Sequence, residues 1–197
     1  MFRPFQADSR HSRRAVTAAA VAVAVAIVVT ACSVEPAPPR DERVALLDFA
    51  AMKVVPFDED PFAAELSSAV TCAAAAVTTD EGMLEISTNA CNHVTLRGVL
   101  LDEMREGETL RLLFWHLYLY AGVDAVTGED VVTTGHAELR IGGTTWWKAE
   151  PAIPGKEAIY KPTWTVDKAV PAGTEVIVHV HNHGANSWRL IDLTTGN

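Results

Sequence analysis

From Met83 to the C-terminus, apolar stretches alternate with turns centred on glycine, proline or asparagine, and the region reads mostly as strands and turns. Met83 to Ser87 and Val94 to Leu101 read as strands. His136 to Ile141 and Thr144 to Lys148 flank Gly142-Gly143, the pair that a tight hairpin uses for its positive φ angles. A proline-rich connection from Pro151 to Pro162 leads to Thr163 to Asp167. Pro171-Ala172-Gly173 then turns into Thr174 to His183, and Gly184-Ala185-Asn186 into Ser187 to Leu193. About eight strands spaced in this way predict a mainly β protein of two stacked antiparallel sheets.

The longest run, Glu108 to Tyr120, follows the Glu106-Gly107 turn. Its even positions, Leu110, Leu112, Phe114, His116, Tyr118 and Tyr120, share one face of a strand; Leu113, Trp115, Leu117 and Leu119 share the other. Both faces are apolar, which predicts a central strand covered on each side. Upstream, Asp60-Pro61 is a capping residue followed by a proline at a first helical position, and it predicts a short helix over Pro61 to Ser68. Val44 to Val55 suits a helix or a strand equally well.

Ahead of this domain, residues 1 to 14 carry four arginines, and Ala15 to Ala31 then run without a charge or a proline, the layout of a secretory signal. Val29-Thr30-Ala31-Cys32 resembles the bacterial lipobox. The resemblance implies diacylglycerol on the Cys32 thiol, cleavage before it, and a further acyl chain on the new amine. One acyl chain binds a membrane only marginally, with a constant of about 10⁴ M⁻¹, whereas two or more hold stably. The expected organisation is therefore a signal peptide (1–31), a lipidated proline-rich tether (32–43) and one domain (44–197). This places the protein on the extracytoplasmic side of a bacterial envelope, at the outer membrane or the periplasmic face. The proline-rich stretch after Cys32 favours an extended form at about 3.1 Å per residue.

The leader holds four of the 16 basic residues and one of the 25 acidic ones, so the finished chain carries 12 against 24. Such a balance lacks the cations that neutralise phosphates and excludes nucleic acid as a partner. With Cys32 assigned to lipid, Cys72 and Cys91 form an even pair that an oxidising compartment is expected to join.

Gly107 to Leu110, Gly142 to Trp147 and Pro171 to Leu193 together resemble a jelly roll of the galactose-binding type, over about half of the chain. What the resemblance implies is a module that binds carbohydrate or another envelope protein. Exposed indoles are platforms for sugar rings, and of the five tryptophans the adjacent Trp146 and Trp147 face opposite ways on a regular strand, so that one looks outward.

The histidines offer a second chemistry. In Val178-His179-Val180-His181-Asn182-His183 the three imidazoles fall on one side of a strand, about 7 Å apart, and the valines on the other. A wet face of an antiparallel sheet produces the same alternation. Read as ligands, His179, His181 and His183 supply neutral nitrogens to Zn²⁺ or copper, with His116 or His93 completing the set from a neighbouring strand. No nucleophile elbow, phosphate loop, zinc-protease or EF-hand motif occurs. The sequence thus reads as a non-enzymatic, membrane-tethered β-sandwich that binds a ligand or partner, with metal binding at the histidines as the alternative.

Overall fold

Two antiparallel sheets pack face to face in a computed structural model that describes residues 37–65, 76–89, 91–184 and 186–197. The signal segment, Cys32 and Cys72 lie outside the described residues. The described residues belong to one unit, and the expected β-sandwich is what they form.

The first sheet contains β1 (Val44–Ala45), β3 (Val77–Asp80), β4 (Met83–Ser87), β6 (Thr109–His116), β11 (Ala158–Tyr160), β12 (Thr163–Thr165) and β14 (Ser187–Thr195). Its order is β11-β6-β14-β4-β3, with β12 also on β6 and β1 on β14. The second sheet runs β2-β5-β13-β8-β9, built from β2 (Lys53–Val54), β5 (His93–Val99), β8 (His136–Ile141), β9 (Thr144–Ala149) and β13 (Glu175–His181). A small ribbon pairs β7 (Thr133–Thr134) with β10 (Ala152–Ile153). Between the sheets lies the core: Leu84, Ile86, Leu110, Leu112, Phe114, Trp188 and Leu190 from the first, and Val94, Leu96, Ala137, Leu139, Val176, Val178 and Val180 from the second. The period-two alternation that marked these segments as strands is the one that divides core from outer face.

Gly142 and Gly143 both take positive φ, 58° and 78°, as the β8-β9 hairpin requires. Val44 to Val55 resolves into β1, a 3₁₀ turn (Phe49–Ala51) and β2.

Two expectations are corrected. Where the expected Pro61 to Ser68 helix is described, over residues 61–65, only a 3₁₀ turn at Ala63–Glu65 forms, after another at Phe57–Glu59, and residues 66–68 lie outside the described residues. The capping signal at Asp60 acts locally, its Oδ1 accepting the Phe62 N–H at 2.8 Å, but its other oxygen engages a strand of the second sheet. Tertiary contact therefore overrides helix propensity, and the segment lies flat as a strap. The apolar run after Glu108 also stops being a strand at His116, beyond which Leu119 exchanges backbone hydrogen bonds with Gly155. Strand β6 is central, yet only one of its faces is buried. Leu113 and Trp115 stay half-exposed, with the Arg189 guanidinium 5.1 Å from the Trp115 ring centre.

At the end of the proline-rich stretch, the chain is clasped to the sandwich. Arg40 Nε donates to Glu108 Oε1 at 2.7 Å, its Nη1 reaches Asp102 at 2.8 Å, and its Nη2 donates to the Glu103 carbonyl. Glu108 is wholly buried and also accepts from the Arg105 backbone N–H and the Thr195 hydroxyl, both at 2.9 Å. Burial alone would raise its pKa. The hydrogen bonds from Arg40, Arg105 and Thr195 outweigh that and hold it at about 2.

Candidate metal centre

The outer face of the second sheet carries an imidazole ladder fixed by strand register. His181 on β13 stands opposite His93 on β5 and His136 on β8; the next rung is Thr95, His179 and Glu138. Polar residues occupy this face because their neighbours along each strand, Val94, Val178, Val180 and Ala137, are spent on the core.

The strap of residues 57–65 covers the ladder. Phe62 stacks on His179 with ring centres 3.9 Å apart and planes 12° from parallel, and the Arg140 guanidinium lies 4.0 Å from the centre of the Phe62 ring. Asp60 Oδ2 meets His93 Nε2 at 3.0 Å, and Glu59 pairs with Arg97 at 3.0 Å. The final turn brings Glu65 over the imidazoles. Its Oε2 stands 3.3 Å from His136 Nδ1, 3.6 Å from His181 Nδ1 and 3.8 Å from His179 Nε2.

Ligands bonded at about 2.0–2.1 Å to a tetrahedral Zn²⁺ stand about 3.3 Å from one another, close to these separations. One ligand atom each from Glu65, His136 and His179 lies within 4.8 Å of the others. The protonation pattern also suits a cation. His179 Nδ1 is 2.8 Å from the Thr95 hydroxyl, while its Nε2, fully buried, has no hydrogen-bond partner among the described residues and faces the Glu65 carboxylate. Burial, with the neighbouring His93, His136, His181 and Arg140, lowers the His179 pKa to about 2; burial likewise lowers that of His181. Neutral imidazoles keep a nitrogen lone pair for coordination.

His136 is oriented from behind. Its Nε2 meets Glu138 Oε2 at 3.0 Å, which turns Nδ1 toward Glu65, the carboxylate-backed histidine arrangement of metal sites. Glu138 is nearly buried, and its other oxygen accepts from Arg140 at 2.5 Å and Thr145 at 2.6 Å. Burial acts to raise its pKa, but the hydrogen bonds from Arg140 and Thr145 leave it lowered.

No protein-family model and no curated protein matches the sequence. Among solved structures, an enzymatically active domain of bacteriophage CBA120 tailspike protein 4 aligns over 76% of this chain at 12% identity and a TM-score of 0.40; the chain spans 20% of its length. The N-terminal cellulose-binding domain of a Cellulomonas fimi β-1,4-glucanase aligns over 61% of this chain and 82% of its own at 15% identity, TM-score 0.38. TmCBM61, solved with β-1,4-galactotriose, aligns over 78% and 86% at 16% identity, TM-score 0.34.

Of the candidate ligands named from the sequence, His179 and His181 stand at the centre. His183 lies at the rim, exposed, its ring centre 4.9 Å from that of His181. His93 is behind, held by Asp60. His116 belongs to the other sheet: it is buried against Trp188, with Nδ1 2.7 Å from the Leu117 carbonyl and Nε2 3.2 Å from the Tyr160 hydroxyl. Glu65 and His136 escaped sequence reasoning. The polar alternation His136-Glu138-Arg140 was visible, but only strand register places it beside His179. Nothing in the sequence around Glu65 marks it as a ligand.

The two tryptophans do not alternate. Leu139 pairs with Trp147 and Arg140 with Thr145, so Trp146 is the extra residue of a β-bulge, and both indoles pack half-buried against the core. Trp146 meets Trp164 edge-on and lines a groove of about 280 Å³ with Thr144, Asp167 and Lys168. Trp147 packs on Phe114 and Tyr160. Cys91 is buried, its sulfur 2.7 Å from the His93 carbonyl oxygen; the Cys72 half of the expected bridge lies outside the described residues.

Proposed function

We propose that this chain is an exported, lipid-anchored β-sandwich that binds a divalent transition-metal ion, Zn²⁺ or Cu²⁺, on the outer face of its second sheet. The observation that carries the reading is the convergence of the Glu65 carboxylate with imidazoles, among them a wholly buried His179 whose Nε2 is without a hydrogen-bond partner among the described residues. Imidazole nitrogen with one carboxylate suits Zn²⁺ and Cu²⁺ better than Mg²⁺ or Ca²⁺, which prefer all-oxygen shells. Glu65, His136 and His179 would hold the ion, while Glu138 and Thr95 orient two of the rings. The resemblance of Val29-Thr30-Ala31-Cys32 to a lipobox supports membrane attachment.

Elemental analysis of the detergent-solubilised full chain after equilibration with Zn²⁺ or Cu²⁺ tests this. Bound metal in the wild type that is lost in His136→Ala supports the reading; no metal above a denatured control overturns it. A second reading, a module for carbohydrate or an envelope partner, is favoured by the groove beside Trp146. Glycan binding that disappears in Trp146→Ala would establish it.

A further inference from the structure

The three histidines of the His179-to-His183 segment divide between two places. Two imidazoles bonded to one tetrahedral ion at about 2.0–2.1 Å have ring centres about 5 Å apart, since each centre lies about 3 Å from the metal. His136 and His179 meet this condition at 5.2 Å, and His181 and His183 meet it at 4.9 Å. His179 and His181, at 6.5 Å, do not. The Glu65 carboxylate reaches one member of each pair, its Oε2 3.8 Å from His179 Nε2 and 3.6 Å from His181 Nδ1.

Exposure changes in step. The His179 side chain is 0% exposed and that of His181 17%, while His183 is open to solvent. Strand β13 ends at His181, and the buried Asn182, whose Nδ2 donates to the Thr88 hydroxyl at 3.0 Å, fixes the chain direction so that His183 follows His181 onto the same side.

We infer that His181 and His183 form a second, outer seat for the same class of ion, through which metal reaches the inner seat of Glu65, His136 and His179. The inference rests on the metal-binding reading above. At the outer seat the two imidazoles, with the Glu65 carboxylate near His181, leave the other positions to water, so the ion is held more weakly and exchanges faster. Rotation of the Glu65 carboxylate then passes it inward, with no change in its charge and no bond broken other than metal–ligand bonds. His181, within reach of the same carboxylate oxygen as the inner ligands, changes partners during that step.

The experiment measures Zn²⁺ stoichiometry and uptake rate on the solubilised full chain, using a chromophoric chelator as competitor. The wild type is expected to take up two ions, one tight and one weak. His183→Ala, a change at an exposed side chain, is expected to keep the tight ion, lose the weak one and load about tenfold more slowly. Equal stoichiometry and equal rates in wild type and His183→Ala overturn the outer seat while leaving the metal-binding reading intact. Absence of any bound ion in the wild type overturns both. His136→Ala supplies the converse: retention of only the weak ion supports the division into two seats, and loss of both ions together overturns it.

Discussion

The buried polar clusters at Glu108 and at His179 differ in how completely their atoms are matched. Around Glu108 both carboxylate oxygens accept hydrogen bonds, from Arg40, Arg105 and Thr195, and a full charge sits paired with a guanidinium. Around His179 one nitrogen meets Thr95, and the other faces a carboxylate 3.8 Å away, beyond hydrogen-bond distance. An unmatched buried nitrogen costs about 1–3 kcal/mol, a cost that a bound ligand would offset. The first cluster closes a structure; the second is where the proposed cation would sit.

That contrast can be broken most forcefully at the clasp. Arg40→Ala leaves the Glu108 carboxylate buried without its cation and should lower the unfolding free energy of the metal-free protein by about 3–5 kcal/mol. Urea denaturation measures it, and a loss within a few tenths would show that the clasp is not what joins the proline-rich stretch to the sandwich. The same cluster sets an acid limb. Because the folded-state pKa of Glu108, about 2, lies below its ordinary 4.5, its stabilisation is complete above about pH 4.5 and is lost as the pH falls toward 2. Glu108→Gln should therefore flatten the dependence of the urea midpoint on pH across that window.

Metal should act on the other cluster alone. Zn²⁺ at a hundred times its Kd should stabilise the wild type by about 2.7 kcal/mol, and Arg40→Ala by the same increment, but His136→Ala far less. Thermal melts with and without the ion make the comparison; an equal shift in His136→Ala would place the ion elsewhere. The smallest expected effect lies one residue back from the ligands. Glu138→Gln keeps a hydrogen-bond acceptor for His136 but removes the charge that favours its Nδ1 lone pair, and should weaken Zn²⁺ affinity about tenfold without changing stoichiometry. Titration against a competing chelator reads that difference directly.

His116 sharpens the same lesson within one residue type. It is as buried as His179, and burial lowers its pKa as well, but its two nitrogens face the Leu117 carbonyl and the Tyr160 hydroxyl. From the sequence, the two histidines looked alike: each occupies an alternating position on an apolar strand. They part company because β6 directs His116 into the space between the sheets, whereas β13 directs His179 outward beneath the strap.

Local pattern was enough for the strands and their turns. Met83–Ser87 and His136–Ile141 have the bounds the alternation predicts, and the glycine pair makes the hairpin. Pattern failed where a long-range contact or an inserted residue took over: the Asp60 capping signal became a strap because its side chain reached His93, and the paired tryptophans lost their alternation to one bulge.

The sequence by itself determined an acidic composition, together with a two-sheet β architecture and a row of histidines on one side of a strand, because the last two depend on neighbours along the chain. Only the tertiary structure decided which imidazoles meet. His136 comes to His179 through strand register, over a separation of 43 positions, and Glu65 comes through the path of a strap that carries no sign of its destination. A metal site is set by distances across the fold, and local periodicity holds no information about those distances.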